Sequence, residues 1–260
     1  MNHGIYTALS GSLANERRLD IMTNNLANLN TTGFKREMPV FSSVLAQQNV
    51  RFSEPGFSRD KMEYVNATFN QDNQVDFKPG ALQPTGNKLD VAIEGDAFFV
   101  VRSPRDGNDY YTRAGGFGLN SSKEMIAADG NVLLNTDGVG QPLVIDGTDA
   151  KNGIDIKINE QGVVVVNGTT VGTIRLVRFA DPQALRKVGA GNFQASQASG
   201  TPQIVDDVVL RQGVKELSNV DPLSSMVGLI EISRQYELQQ KIITSLGDVN
   251  HLAASEIAAL

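Results

Sequence analysis

The sequence has no cysteine and only two histidines among its 260 residues. Without cysteine there can be no disulfide, no thiolate metal site and no cysteine nucleophile. His3 and His251 stand near opposite ends of the chain, too few and too far apart in sequence for a multi-histidine metal site. The longest apolar runs, 97–101 and 163–166, fall far short of the ~20 residues that cross a bilayer. These absences predict a protein with no cofactor, no enzymatic activity and no membrane insertion.

Charge is also sparse and evenly spread. Charged residues make up 20% of the chain, below the usual ~25%, and the 25 glycines exceed the usual ~7%. The formal net charge is −6 and no block of one sign occurs, which predicts no binding of nucleic acid. The segment Met1–Ser12 has no Lys or Arg and is broken by polar residues, so we expect no cleaved signal peptide.

Both ends of the chain show a heptad pattern typical of helices that pack against other helices. The predicted assembly interface consists of the apolar and polar residues on these two stripes: Ile5, Leu9, Leu19, Met22, Leu26, Leu29, Leu229, Ile232, Tyr236, Gln239, Ile243, Leu246, Asn250, Ile257 and Leu260. The last helix is predicted to start at Asp221-Pro222, an N-cap aspartate followed by a proline at the first helical position.

The two stripes allow two interpretations. A helix with one apolar stripe most often packs on the core of its own domain. The stripes flank a middle of different period, however, which favours packing against each other or against copies in other subunits. Gln239 and Asn250 interrupt the last stripe, and polar residues in such a seam typically fix register and partner number.

The middle of the chain has the period of two that predicts strands, and turn signals separate its segments. Leu89–Ile93 and Ile154–Ile158 alternate, whereas Phe98–Val101 is apolar throughout and predicts a strand covered on both faces. Asn167-Gly168 predicts a hairpin, and Asp-Gly pairs at 129, 137 and 146 predict turns. Residues 81–215 therefore predict an antiparallel β domain.

Residues 35–80 follow neither period, yet 34–80 contain six of the 11 phenylalanines. A disordered linker is normally poor in aromatic residues because it has nowhere to bury them. We expect this segment to pack either on its own β domain or on neighbouring subunits.

Candidate ligand motifs are weak throughout. The glycines at 115–116 and 138–140 lack the G-x-G-x-x-G spacing of dinucleotide sites. The acidic run 146–155 lacks the ligand alternation of a calcium loop, and Asp206 and Asp207 are adjacent and would point to opposite faces of a strand.

Four motifs resemble those of the bacterial flagellar rod and hook family, in the same order. They are NNLANLNTTGFKR at 24–36, LDVAIEGDAFFV at 89–100, YTRAGGF at 111–117, and SNVDP at 218–222 followed by RQYE and Lys241. The residues that carry the end motifs are Asn25, Leu26, Asn28, Thr31, Gly33, Phe34, Ser218, Asn219 and Val220. Ala97 departs from the family pattern, which usually has glycine there.

The resemblance implies an α+β subunit of four parts: an assembly helix at 1–34, an extended segment at 35–80, the β domain at 81–215 and a second assembly helix at 216–260. It implies coiled-coil-like terminal helices, helical polymerisation with other rod subunits in the periplasm, torque transmission from motor to hook, and passage through the flagellar type III export apparatus. The opening residues resemble the proximal-rod branch more than the distal-rod or hook branches. A secreted adhesin and a carbohydrate-active β protein remain as alternatives.

Overall fold

The computed structural model describes residues 2–48, 63–137, 140–145, 155–189 and 191–258. It shows an α+β fold with one helix near each end of the chain and antiparallel strands between them. Leu260 lies outside the described residues, as do the side chains of Ile5, Leu246, Asn250 and Ile257. The turns predicted at Asp137-Gly138 and Asp146-Gly147 also extend outside them.

The chain forms two compact units, each made of more than one segment. The helical unit comprises Met1–Leu26, Glu37–Gln74 and Asp221–Leu260. The β unit comprises Ala27–Arg36 and Val75–Val220. The sequence pattern predicts 35–80 as one segment. In the structure, residues 37–74 belong to the helical unit, whereas 35–36 and 75–80 belong to the β unit.

The helical unit is built on two long helices, α1 (Asn2–Ala27) and α2 (Pro222–Ala258). The predicted start of α2 is confirmed, since Asp221 Oδ1 accepts a hydrogen bond from the Leu223 N–H at 3.2 Å. At about 1.5 Å per residue the helices are roughly 39 and 56 Å long. Gly11 lies against Gln239 and Met22 lies against Gly228, so α1 and α2 run antiparallel.

Two strands complete the helical unit and were not predicted. β1 (Glu37–Gln48) and β2 (Glu63–Val75) pair with each other in a two-stranded sheet. Asn25 near the end of α1 holds the start of β1, because its side chain exchanges two hydrogen bonds of 2.9 Å with the backbone of Glu37. A period of two appears in the sequence where one face of a strand is buried and the other is solvated, so strand pairing alone leaves no such pattern.

The β unit contains sixteen short strands among the described residues. They are β3 (Leu82–Pro84), β4 (Val91–Glu94), β5 (Phe98–Arg102), β6 (Asp109–Thr112), β7 (Phe117–Leu119), β8 (Met125–Ala127), β9 (Val132–Leu133), β10 (Ile156–Ile158), β11 (Val163–Val166), β12 (Thr169–Thr173), β13 (Leu176–Arg178), β14 (Arg186–Val188), β15 (Asn192–Gln194), β16 (Gln203–Ile204), β17 (Val209–Gln212) and β18 (Val214–Glu216).

The strands form one large sheet and three small ones. The large sheet has the order β14-β15-β6-β5-β9-β8-β7, with β13 joined to β5 and β16 joined to β13. The small sheets are β10-β11-β12, β17-β4 and β18-β3. The strand pairs of the β unit are antiparallel. The predicted hairpin at Asn167-Gly168 is confirmed: it joins β11 to β12, and both residues have positive φ.

Strand β5 lies at the centre of the core. Its residues alternate between two apolar clusters, with Phe99 and Val101 in one and Phe98 and Val100 in the other. All four are at most 2% exposed, which confirms the prediction of a strand covered on both faces. In β4, whose sequence alternates, Val91, Ala92 and Ile93 are all buried, so both faces of this strand are covered as well.

Candidate assembly interface

The predicted seam residues of α2 lie on the side of the helix that contains its contacts with α1; we call this side the inner face. It consists of the residues Leu229, Ile232, Tyr236, Gln239 and Ile243. Ile232 is buried and the other four are half-buried. On α1, Leu19, Met22 and Leu26 are half-buried, whereas Leu9 is 47% exposed.

The inner face includes a polar contact between the helices. Asn15, buried on α1, donates a hydrogen bond of 3.1 Å from Nδ2 to Gln239 Oε1. Gly11 makes room for the same side chain, since a methyl group at Gly11 would lie 2.9 Å from Gln239 Nε2. The seam glutamine therefore has one defined position along α1.

A second apolar stripe runs along the opposite side of α2. Its members recur at helical spacing and are all exposed: Leu223, Val227, Ile230, Leu238, Ile242 and Val249. We call these six residues the outer face. Neighbouring Ile242 and Ile243 illustrate the division, since Ile242 is 52% exposed on the outer face and Ile243 belongs to the inner one. This stripe was not predicted from the sequence, although the three- and four-residue spacings within it are typical of one face of a helix.

An open groove of about 290 Å³ lies within the helical unit, where α1, β1 and α2 meet. It is lined by Arg18, Met22, Pro39, Gly228, Glu231, Ile232 and Gln235. Apolar side chains and one glycine thus share the groove with charged and amide groups.

The β unit contains a buried ion cluster of Lys35, Arg113 and Glu216, whose side chains are at most 3% exposed. Lys35 Nζ lies 2.6 Å from Glu216 Oε1 and donates a second hydrogen bond of 2.7 Å to the carbonyl of Lys78. Glu216 Oε1 also accepts the Gly80 N–H at 2.9 Å. Burial lowers the pKa of Lys35 from its usual value, although the nearby Glu216 acts to raise it.

Asn219, a residue of the SNVDP motif, joins three stretches of the β unit. Its Oδ1 accepts the Arg36 N–H at 2.8 Å, and its Nδ2 donates to the carbonyls of Asp76 at 2.7 Å and Lys78 at 3.0 Å. The Arg36 guanidinium pairs with the Asp76 carboxylate at 2.8 Å. Ser218 Oγ accepts the N–H of the buried Val220 at 3.3 Å.

The glycine and phenylalanine of the other end motif lie in the same region of the β unit. Gly33 has φ +66°, and a methyl group on it would lie 2.4 Å from the backbone of Arg113. Its N–H donates to the carbonyl of Glu216 at 2.8 Å. Phe34 is fully buried, with the Lys187 ammonium 3.8 Å from its ring centre. These contacts give the motif residues a structural role.

The remaining motif residues make local contacts near the end of α1. Thr31 donates to Asn28 twice, from its N–H to the carbonyl and from its hydroxyl to Oδ1, each at 3.1 Å. Leu29 is half-buried in the β unit. The sequence analysis did not assign a role to Lys35 and Arg113, although both stand inside quoted motifs. It had no signal for Glu216, because an isolated glutamate is normally solvated.

Within the described part of the chain, no cluster of three or more histidine, aspartate or glutamate side chains could hold a metal ion. None of the helices described is both long and apolar enough to span a bilayer.

Three family models match separate parts of the chain. The model described as the flagella basal body rod protein matches 5–35, that of the flagellar hook protein FlgE/F/G D1 domain matches 92–166, and that of the flagellar basal body rod FlgEFG protein C-terminal matches 211–250. The matches cover most of α1, the middle of the β unit and much of α2. They define the class as the flagellar hook and rod proteins.

Curated relatives match over nearly the whole length. The basal-body rod protein FlgG of Borreliella burgdorferi is 32% identical over 97% of this chain and 99% of its own. FlgF of Caulobacter vibrioides is 31% identical over the full length of both, and FlgG of Bacillus subtilis is 30% identical over 96% of this chain and 97% of its own. The chain belongs to the flagellar basal-body rod protein family, and its role is the structural one of that family.

Proposed function

We propose that this protein polymerises into the rod through its terminal helices, with copies of itself and with neighbouring rod and hook-family proteins as partners. One observation supports this most directly: α2 is apolar on two opposite sides. The inner face packs on α1 of the same chain, and the outer face is exposed. A helix that is apolar nearly all round is normally buried.

The outer face is large enough to stabilise an interface. It carries six large apolar side chains over 27 residues of one helix, 223–249. Each of these side chains is more than half exposed, so covering it completely contributes roughly half or more of the 1.5–3 kcal/mol that full burial of a large apolar side chain gives. A heterologous contact of this kind, repeated along an axis, generates a helical filament. The coiled-coil-like packing of the predicted assembly helices belongs to this proposal.

The proposal also includes the export of the subunit and its role in transmitting torque. We infer a subunit that passes through the flagellar type III export apparatus, assembles in the periplasm and carries torque from motor to hook. Helices gain little stability in isolation, so terminal helices that lack partners can pass a narrow channel in an unfolded form. The proximal-rod assignment stays a prediction, because the FlgF and FlgG relatives are almost equally similar to this chain.

The test introduces one charge on the outer face. Ile242→Asp places a carboxylate where the proposal requires apolar contact, so we expect this variant to be absent from isolated basal bodies and the cells to be non-motile. Thr244→Asp is the matched control, because Thr244 is exposed in the same turn of α2 and is not part of either apolar face. Rods of normal composition in Ile242→Asp cells would contradict the proposal.

A further inference from the structure

The buried ion cluster lies among the segments through which the chain passes from one unit to the other. The unit boundaries fall after Leu26, Arg36, Gln74 and Val220. Lys35 stands one residue before Arg36 at the second boundary, and Glu216 stands four residues before Val220 at the last. Lys78 and Gly80, which the cluster binds through their backbone, follow the third. We call the stretches 33–36, 76–80 and 216–219 the connection segments.

The contacts within the connection segments are unusually close. Gly80 packs so tightly that a methyl group on it would lie 1.9 Å from the carbonyl oxygen of Leu217. Gly33 is equally confined against the backbone of Arg113, and its N–H is bound to Glu216. Such packing requires the three segments to keep one arrangement.

The cluster is a poor source of stability. It places two cations and one carboxylate out of water, and Arg113 Nη1 is 3.7 Å from Glu216 Oε2, too far for a hydrogen bond. Arg113 Nε and Nη1 and Glu216 Oε2 have no hydrogen-bond partner. Asp76 and Asp96 are the other charges that act on Lys35 and Arg113. Buried ion pairs can often be replaced by apolar residues with no loss of stability, and some of them serve to specify one arrangement.

We propose that Lys35, Arg113 and Glu216 are positioning residues that hold the three connection segments in one fixed arrangement. Load that passes along the chain into the β unit is then shared by the three segments. The fixed arrangement of the three segments, which we call the positional role, concerns the β unit alone. The sharing of load, which we call the mechanical part, rests on the proposed rod function.

The test removes the charges but keeps the volume. In purified full-length protein, the triple variant Lys35→Met, Arg113→Met and Glu216→Leu should leave the thermal transition of the β unit and the slow amide exchange of β5 unchanged. Exchange at Gly33, whose N–H is bound to the backbone carbonyl of Glu216, should become at least about tenfold faster, as local opening requires. Wild-type exchange at Gly33 would overturn the proposal, and so would loss of protection in β5, because the cluster would then serve the core.

Lys35→Met alone provides a second variant if the triple variant does not fold, because it leaves Arg113 and Glu216 with balanced charges. It removes the hydrogen bonds from Lys35 to Glu216 and to the Lys78 carbonyl and should also speed exchange at Gly33 and Gly80 by about tenfold, with β5 unchanged. Wild-type exchange at the two glycines in this variant would likewise overturn the positional role.

Swimming tests the mechanical part. Cells with the triple variant should build rods and swim normally in dilute medium but lose speed in viscous medium more steeply than wild-type cells. Equal loss of speed would overturn load sharing. Absence of the wild-type protein from isolated basal bodies would instead overturn the rod function and leave the exchange result valid.

Discussion

Gly33 is under two separate constraints, its left-handed backbone and its contact with Arg113. Asparagine tolerates positive φ better than most residues, and valine tolerates it poorly. The close contact adds a penalty that both substitutions share, because any side chain would place a Cβ 2.4 Å from the backbone of Arg113. Gly33 therefore differs from a turn glycine that needs only conformational freedom.

We expect Gly33→Asn and Gly33→Val both to destabilise the β unit by several kcal/mol, roughly the sum of backbone strain and overpacking. Chemical denaturation of the purified protein measures the change. Gly86→Asn is the control, since Gly86 has φ +72° with nothing within 4 Å of the added carbon, and it should cost about 1 kcal/mol. Equal losses for Gly33→Asn and Gly86→Asn would show that the close contact relaxes.

At the scale of elements, the pairing of α1 with α2 includes a hydrogen bond between Asn15 and Gln239. Replacing both residues by leucine should strengthen the apolar seam but allow the helices to slide. Because the chain has no cysteine, Met22→Cys with Gly228→Cys reports the native register by disulfide formation. We expect the double leucine variant to lower the yield of this disulfide, and an unchanged yield would show that the polar pair does not set the register.

Ile243 tests the separation of the two units. Ile243→Asp places a carboxylate on the inner face, so we expect loss of the reporter disulfide and failure to join rods. The thermal transition of the β unit should not change, because Ile243 lies in the other unit. Ile242→Asp is the control and should leave the disulfide yield intact. Unfolding of the β unit in the Ile243→Asp variant would show that α2 belongs to the globular core.

Local rules predicted the elements whose signals are local. The start of α2, the hairpin at Asn167-Gly168 and the double burial of β5 follow from capping, turn chemistry and apolar runs, and the structure confirms them. The pairing of β1 with β2 joins strands 14 residues apart and leaves no short-range pattern. The role of Glu216 depends on distant partners, with Lys35 181 residues away in sequence. The role of the predicted interface residues in assembly stays a prediction.

At the scale of the whole molecule, the two units should differ in stability. The β unit has two apolar clusters of its own, whereas α2 leaves seven large apolar side chains exposed, the six of the outer face and Met226. In a dilute solution of monomer we expect strong amide protection in β5 and β6 and weak protection in both helices. Hydrogen exchange measures both at once. Full protection of α1 under these conditions would show that the helices need no partner.

The bond between Asn219 and Asp76 has a consequence for how the gene can change. The Asn219 Nδ2 and the Asp76 carbonyl oxygen are 2.7 Å apart, so the longer segment of the β unit, 75–220, begins and ends at neighbouring points. A module whose two ends are close together can be exchanged or enlarged without altering the sequence around it. Evolution can therefore vary the size of the part between these points while the terminal helices keep a common length and pattern.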